Sequence, residues 1–131
     1  MKNIKLNFVF LCDYASMGEA GKLNIMGIFK TIFGKQLPIV QPQMFIVTNV
    51  SVDKGRDYKE VIKITDEDDQ EIGKAIEFKF SFPKDEKDEK VEAGFIGQLN
   101  ATEFNKEGKH KLKIYINDEL IESMPFGVKV L

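Results

Sequence analysis

His110 is the single histidine and Cys12 the single cysteine of this 131-residue chain, so the two most versatile catalytic side chains occur once each. One histidine leaves no pair for a zinc ion and no second base for a proton relay. It falls in phase with Leu112 and Ile114, which aims it inward near a strand end as a structural residue. One cysteine allows no intrachain disulfide and suits a reducing compartment. Cys12 closes the apolar run Phe8-Val9-Phe10-Leu11, where a thiol behaves as a small buried hydrophobe with a raised pKa. Asp66, Glu67, Asp68 and Asp69 concentrate acid, but an EF-hand loop needs glycine at its sixth position, where Glu71 stands, and a helix on either side. The cluster reads as a solvated hairpin turn. Glycosidase chemistry needs two carboxyls facing across a cleft, whereas these acids crowd into turns. Gly18, Gly21, Gly27 and Gly34 are spread over two turns and a strand with no helix behind them, so they build no phosphate cradle. Lys109, Lys111 and Lys113 alternate along one strand face without an aromatic platform for stacking bases, which makes them ordinary surface lysines. The chain is therefore expected to be no enzyme, with no catalytic residue, no metal site and no cofactor.

Strands must carry these residues. In Glu107 to Leu131, His110, Leu112, Ile114 and Ile116 alternate with Lys109, Lys111, Lys113 and Tyr115, the period of two expected of a half-buried strand. Asn117-Asp118 supplies a hairpin turn tolerant of positive φ, and Pro125 introduces a last alternating set of Phe126, Val128 and Val130. Nine strand-like runs follow from such signals: 4–12, 22–30, 43–52, 58–65, 72–82, 91–100, 109–116, 119–122 and 126–131. Asp66 to Gln70 closes a hairpin between Val61 to Ile64 and the Ile76, Phe78, Phe80, Phe82 face. Thr102 to Lys106 is at most a turn. Two irregular joins remain: 34–43, with Pro38 and Pro42, and the charged run 84–90, which is expected to be mobile and dispensable for folding. The pattern predicts an all-β fold, an antiparallel sandwich of about seven to nine strands.

Composition agrees with a single globular domain over residues 1–131, with 43% hydrophobic and 31% charged residues. Nineteen basic and twenty-one acidic residues give a net charge of −2, which speaks against a general nucleic-acid binder. Lys2 and Lys5 precede the apolar string Phe8 to Cys12, but five residues fall short of the roughly 7 to 15 of a signal peptide, and bulky Leu11 stands where a small residue is wanted. No run approaches the roughly 20 apolar residues of a membrane helix. A cytoplasmic location, without a membrane segment, is expected.

Phe10-Leu11-Cys12-Asp13-Tyr14-Ala15, then Gly21-Lys22-Leu23-Asn24-Ile25-Met26-Gly27-Ile28-Phe29, then Leu37-Pro38 form a recognisable text. Together with Gly108 to Ile116 and Pro125-Phe126, it resembles an uncharacterised family of small bacterial proteins, a domain of unknown function. The resemblance covers essentially the whole chain and implies an immunoglobulin-like sandwich with no known activity or site residues. Gly27 then marks a bulge or a close backbone approach.

Two functional classes remain. One is a non-enzymatic interaction or assembly module with a protein partner or as a homodimer. The other is a carrier of a small apolar ligand in a barrel lined by Phe78, Phe80, Phe82 and Phe95. The first three strands favour the module, because both of their faces are apolar: Leu6, Phe8, Phe10 and Cys12 against Val9 and Leu11, and Leu23, Ile25 and Phe29 against Met26 and Ile28. The third sets Met44, Ile46, Val50 and Val52 against Phe45 and Val47. An apolar second side has to be covered. Either the segment Ile32 to Val40 folds back over it, or Val9, Leu11, Met26, Ile28, Phe45 and Val47 form a partner interface.

Overall fold

Alternating apolar and polar residues drive this chain into strands, and turn residues decide where each strand stops. The structure, a computed structural model, describes residues 3–85 and 90–131. Among them run nine strands: β1 (Lys5–Met17), β2 (Leu23–Ile28), β3 (Thr31–Gly34), β4 (Ile39–Asp53), β5 (Asp57–Thr65), β6 (Glu71–Ser81), β7 (Lys90–Phe104), β8 (Gly108–Ile116) and β9 (Glu119–Val130). They form two sheets, ordered β2-β1-β4-β7 and β3-β9-β8-β5-β6. The fold is an all-β sandwich, as the periodicity predicts. One pair departs from antiparallel order, since β3 runs parallel to β9 with Thr31 opposite Gly127. Glu86 to Glu89 of the charged run lie outside the described residues.

Turn chemistry sits where the sequence places it. Asn117 and Asp118 adopt φ of 48° and 69° between β8 and β9, as a two-residue hairpin of right-handed twist demands. Between β5 and β6 the Asp66 carboxylate accepts N–H bonds from Asp68 and Gln70, both 2.9 Å. Pro125, expected to begin a last strand, lies instead inside a continuous β9. It pairs with Lys111 on one side, while β3 begins only opposite Gly127. At residue 125 β9 is therefore a free edge, where a missing N–H breaks no ladder. Residues 34–43 are not one irregular join, because β3 ends at Gly34 and β4 starts at Ile39. Thr102 is no turn residue: β7 carries it through to Phe104.

Between the sheets lies the main core of Leu11, Ile32, Ile39, Met44, Ile46, Ile62, Ile64, Phe104, Leu112, Ile114, Phe126 and Val128. A second cluster of Val50, Val52, Tyr58, Ala93 and Ile116 continues it toward one end. The faces of β1 are exchanged relative to simple alternation. Register steps from Leu6 opposite Val50 to Phe8 opposite Asn49, so Asn7 is an extra residue, a β-bulge. Its Nδ2 donates to Asn49 Oδ1 (2.7 Å) and Ser51 Oγ (2.8 Å), which holds the bulge in place. Beyond it Val9 and Leu11 face the core, and Phe8 and Cys12 face out.

Candidate interaction surface

The bulge at Asn7 decides the fate of the apolar second face. Cys12, Ala15, Phe45 and Val47 are buried there in a cluster of their own, packed by Phe8, Leu23, Ile25 and Ile96. The cover comes from the β1–β2 hairpin and not from the segment 32–40, whose Ile32 and Ile39 belong to the main core. Met17, Gly21 and Leu23 line a hollow of about 210 Å³ against Phe8, Val47 and Ile96 on the sheet. Cys12 is sealed beneath, its Sγ–H donating to Phe45 O at 3.7 Å, and burial pushes its thiol pKa up.

The six residues expected to form one partner surface are thus divided. Leu11 lies in the main core, Val9 packs half-buried against it, and Phe45 and Val47 lie under the hairpin. Burial takes Leu11, Phe45 and Val47 out of any interface, and Val9 faces the main core. Met26 and Ile28 remain, 64% and 54% exposed. Met26 stands directly opposite Tyr14, itself 49% exposed and edge-on to Phe45 at 5.3 Å. Ile28 stands opposite the buried Cys12, beyond Gly27 with its φ of 68°. Sequence reading found Met26 and Ile28 but missed Tyr14, whose pairing with Met26 depends on register.

Backbone geometry adds to this apolar strip. β2 ends its sheet, so among the described residues no strand pairs with one side of its backbone. Such an edge invites another strand, and proteins usually guard it with charge or with short length. At the opposite flank β6 carries exposed Lys74, Glu77 and Lys79, and β7 carries Lys90, Glu92 and Glu103. β3 spans four residues. β2, six residues reading LNIMGI, holds no charge at all.

Elsewhere the chemistry closes on itself. Lys113 pairs with Asp69, and Lys106 with Asp68 and, at 3.7 Å, with Asp66. The lysine ammonium beside each of these carboxylates helps hold Asp69 low, while N–H bonds from Gln70 and Asp68 do the same for Asp66. The acidic turn is thus engaged by Lys106 and by one lysine of the stripe, Lys113. Phe78 stacks on Phe95 at 4.7 Å, Phe80 meets Phe95 at 4.9 Å, and Phe82 meets Phe80 at 6.2 Å. The four rings proposed to line a ligand cavity pack on one another instead. His110 points inward between Phe104 and Phe126, its Nδ1–H donating to Gly108 O at 3.0 Å.

Glu60 escaped the sequence reading, although it shares the inward phase of Ile62 and Ile64. Fully buried, it accepts a 3.0 Å hydrogen bond from Thr48 Oγ1 across the sandwich, while its Oε2 has no partner. Burial raises its pKa to about 7. A carboxyl sealed from substrate offers no acid–base chemistry, whatever its pKa. Among the described residues no group of three or more His, Cys, Asp or Glu is placed to hold a metal ion, and no helix is long and apolar enough to cross a membrane.

No curated protein matches the sequence. By structure the chain is similar to the Pseudomonas fluorescens alkylpurine DNA glycosylase AlkC bound to DNA containing an abasic site analog, with a TM-score of 0.53 and 8% identity. That match covers 98% of this chain and 31% of the glycosylase, so the likeness is one of fold within a longer protein. Residues 7–129 match the model of a family of unknown function (DUF6941).

Proposed function

The chain belongs to the DUF6941 family, and we propose that it is a non-catalytic interaction module that takes a strand of another protein against β2. One observation carries this reading. β2 joins an unpaired backbone edge to exposed Met26 and Ile28 and lacks the charges that guard β6 and β7. Main-chain hydrogen bonds would supply affinity, and the Tyr14–Met26–Ile28 strip would select side chains of an added strand. The glycosylase's DNA does not transfer to this site, since the net charge is −2 and the lysines of β8 include one already engaged by an acidic turn.

Met26→Lys tests the reading, because residue 26 is exposed and the change places a charge in the middle of the edge. Partner recovery from native cells should be lost with Met26→Lys and kept with Glu77→Arg on the opposite flank, with both variants keeping the wild-type circular dichroism spectrum. Equal recovery by all three proteins would remove β2 from the function.

A further inference from the structure

Two lysines bracket the charge-free strand. Lys22 precedes Leu23, and Lys30 follows Phe29 at the crossing to the second sheet. Some lysines on the other strands have acidic partners, Lys54 with Asp85, Lys59 with Asp118, Lys63 with Glu71 and Lys79 with Glu77, whereas Lys5, Lys74, Lys109, Lys111 and Lys129 form no ion pair among the described residues. Among the described residues Lys22 and Lys30 form no ion pair, and both are exposed. Their backbones are nevertheless fixed. Lys22 N–H donates to Glu19 O at 3.1 Å and Gly18 N–H donates to Lys22 O at 2.6 Å, while Gly127 N–H donates to Lys30 O at 2.8 Å. Two exposed cations thus flank the apolar edge, one immediately before Leu23 and one two residues beyond Ile28.

From this charge pattern we infer that the occupant of β2 is an extended segment with an apolar centre and an acidic residue at each end. The inference rests on the β2 reading above and adds the partner's chemistry. A strand laid along β2 in either direction brings its ends to Lys22 and Lys30, so acids at both ends satisfy both cations. A second copy of this chain fits poorly. Antiparallel self-pairing with Met26 opposite Met26 sets Lys22 opposite Lys30 at both ends, and like charges facing one another across a ladder destabilise it. Each exposed pair adds little affinity alone, but together they select among partners that offer the same backbone.

A displayed library of random peptides, long enough to span both lysines, tests this on the full chain. Enriched sequences should carry Asp or Glu at both ends of an alternating apolar centre. A recovered peptide should slow hydrogen exchange at the β2 amides and bind about tenfold more weakly to the double variant Lys22→Glu, Lys30→Glu. Selection on that variant should enrich lysine-ended peptides instead. Peptides that protect β2 but lack acidic ends, or that bind the double variant equally well, overturn the charge inference and leave the edge reading standing. Peptides that bind Met26→Lys as well as wild type and leave β2 amides unprotected overturn both. A dimer, seen by light scattering, that Met26→Lys dissociates overturns the charge inference alone, because it makes the second copy the occupant of the edge.

Discussion

Glu60 is the residue at which this sandwich departs furthest from a hydrocarbon interior. Its carboxyl is fully buried and raised to about 7 by burial, with the Thr48 hydroxyl bond opposing that shift. A raised acid is protonated in the folded state while the unfolded chain, with its ordinary value of 4.5, has already released the proton. The folded state therefore binds the extra proton between those values, and stability is full below the lower one and lost as pH rises through about 7. The loss should level off on the order of 3 kcal/mol at mildly alkaline pH, from about 1.4 kcal/mol for each pKa unit. Glu60→Gln, which keeps the shape and removes the ionisation, should flatten urea-unfolding stability between pH 5 and pH 8 to about 1 kcal/mol or less. A wild-type protein equally stable at both values would mean that Glu60 stays ionised in the core. Glu60 was legible as an inward position from its phase with Ile62 and Ile64, yet nothing in the sequence names Thr48, which arrives from the other sheet.

At the scale of elements, the sequence shows runs and turns well and faces less well. Eight of the nine strands overlap predicted runs, and Asn117-Asp118 turns as expected, because local alternation and turn chemistry are local properties. β3 was hidden by its four-residue length and by pairing parallel to a distant strand. The error at β1 came from one residue. Asn7 shifts the ladder, so that Val9 and Leu11 turn inward, and this parity change is visible only through the bonds from Asn7 to Asn49 and Ser51. Gly27 was legible as a close approach, and the structure gives its cause. Its φ is +68°, and a Cβ built there would lie 2.4 Å from Asp13 Oδ2 and 3.0 Å from Asp13 Cβ. Gly27→Ala should cost about 2 kcal/mol in urea unfolding, combining left-handed strain with the clash. Adding Asp13→Ala should return part of that loss and no more, since the backbone strain and the Asp13 Cβ contact remain. An unchanged unfolding midpoint for Gly27→Ala would show that the β1–β2 ladder relaxes there without cost.

For the whole molecule, stability is divided unequally between the two sides of the first sheet. Leu6 and Ile121 pack against both inner clusters, which ties the interior into one unit, whereas the outer cluster shares no residue with either. The β1–β2 hairpin is held down by Ala15, Leu23 and Ile25 and by its ladder to β1. A unit with so little apolar cover opens at lower free energy than the interior. Cys12 reports on it, being fully buried under the hairpin with a raised pKa, so a thiol reagent should react slowly with the native protein and quickly after denaturation. Native-state labelling across low urea should then give an opening free energy for Cys12 below that of global unfolding followed by circular dichroism, with a shallower urea slope because less surface is exposed. Identical free energies and slopes would make the hairpin part of one cooperative unit. The same thiol also reads out function, since a strand bound along β2 stabilises the closed hairpin and adds its binding free energy to the opening cost. Acid-ended peptides should therefore slow Cys12 labelling in proportion to their occupancy, and an unchanged rate at saturating peptide would place their binding away from β2.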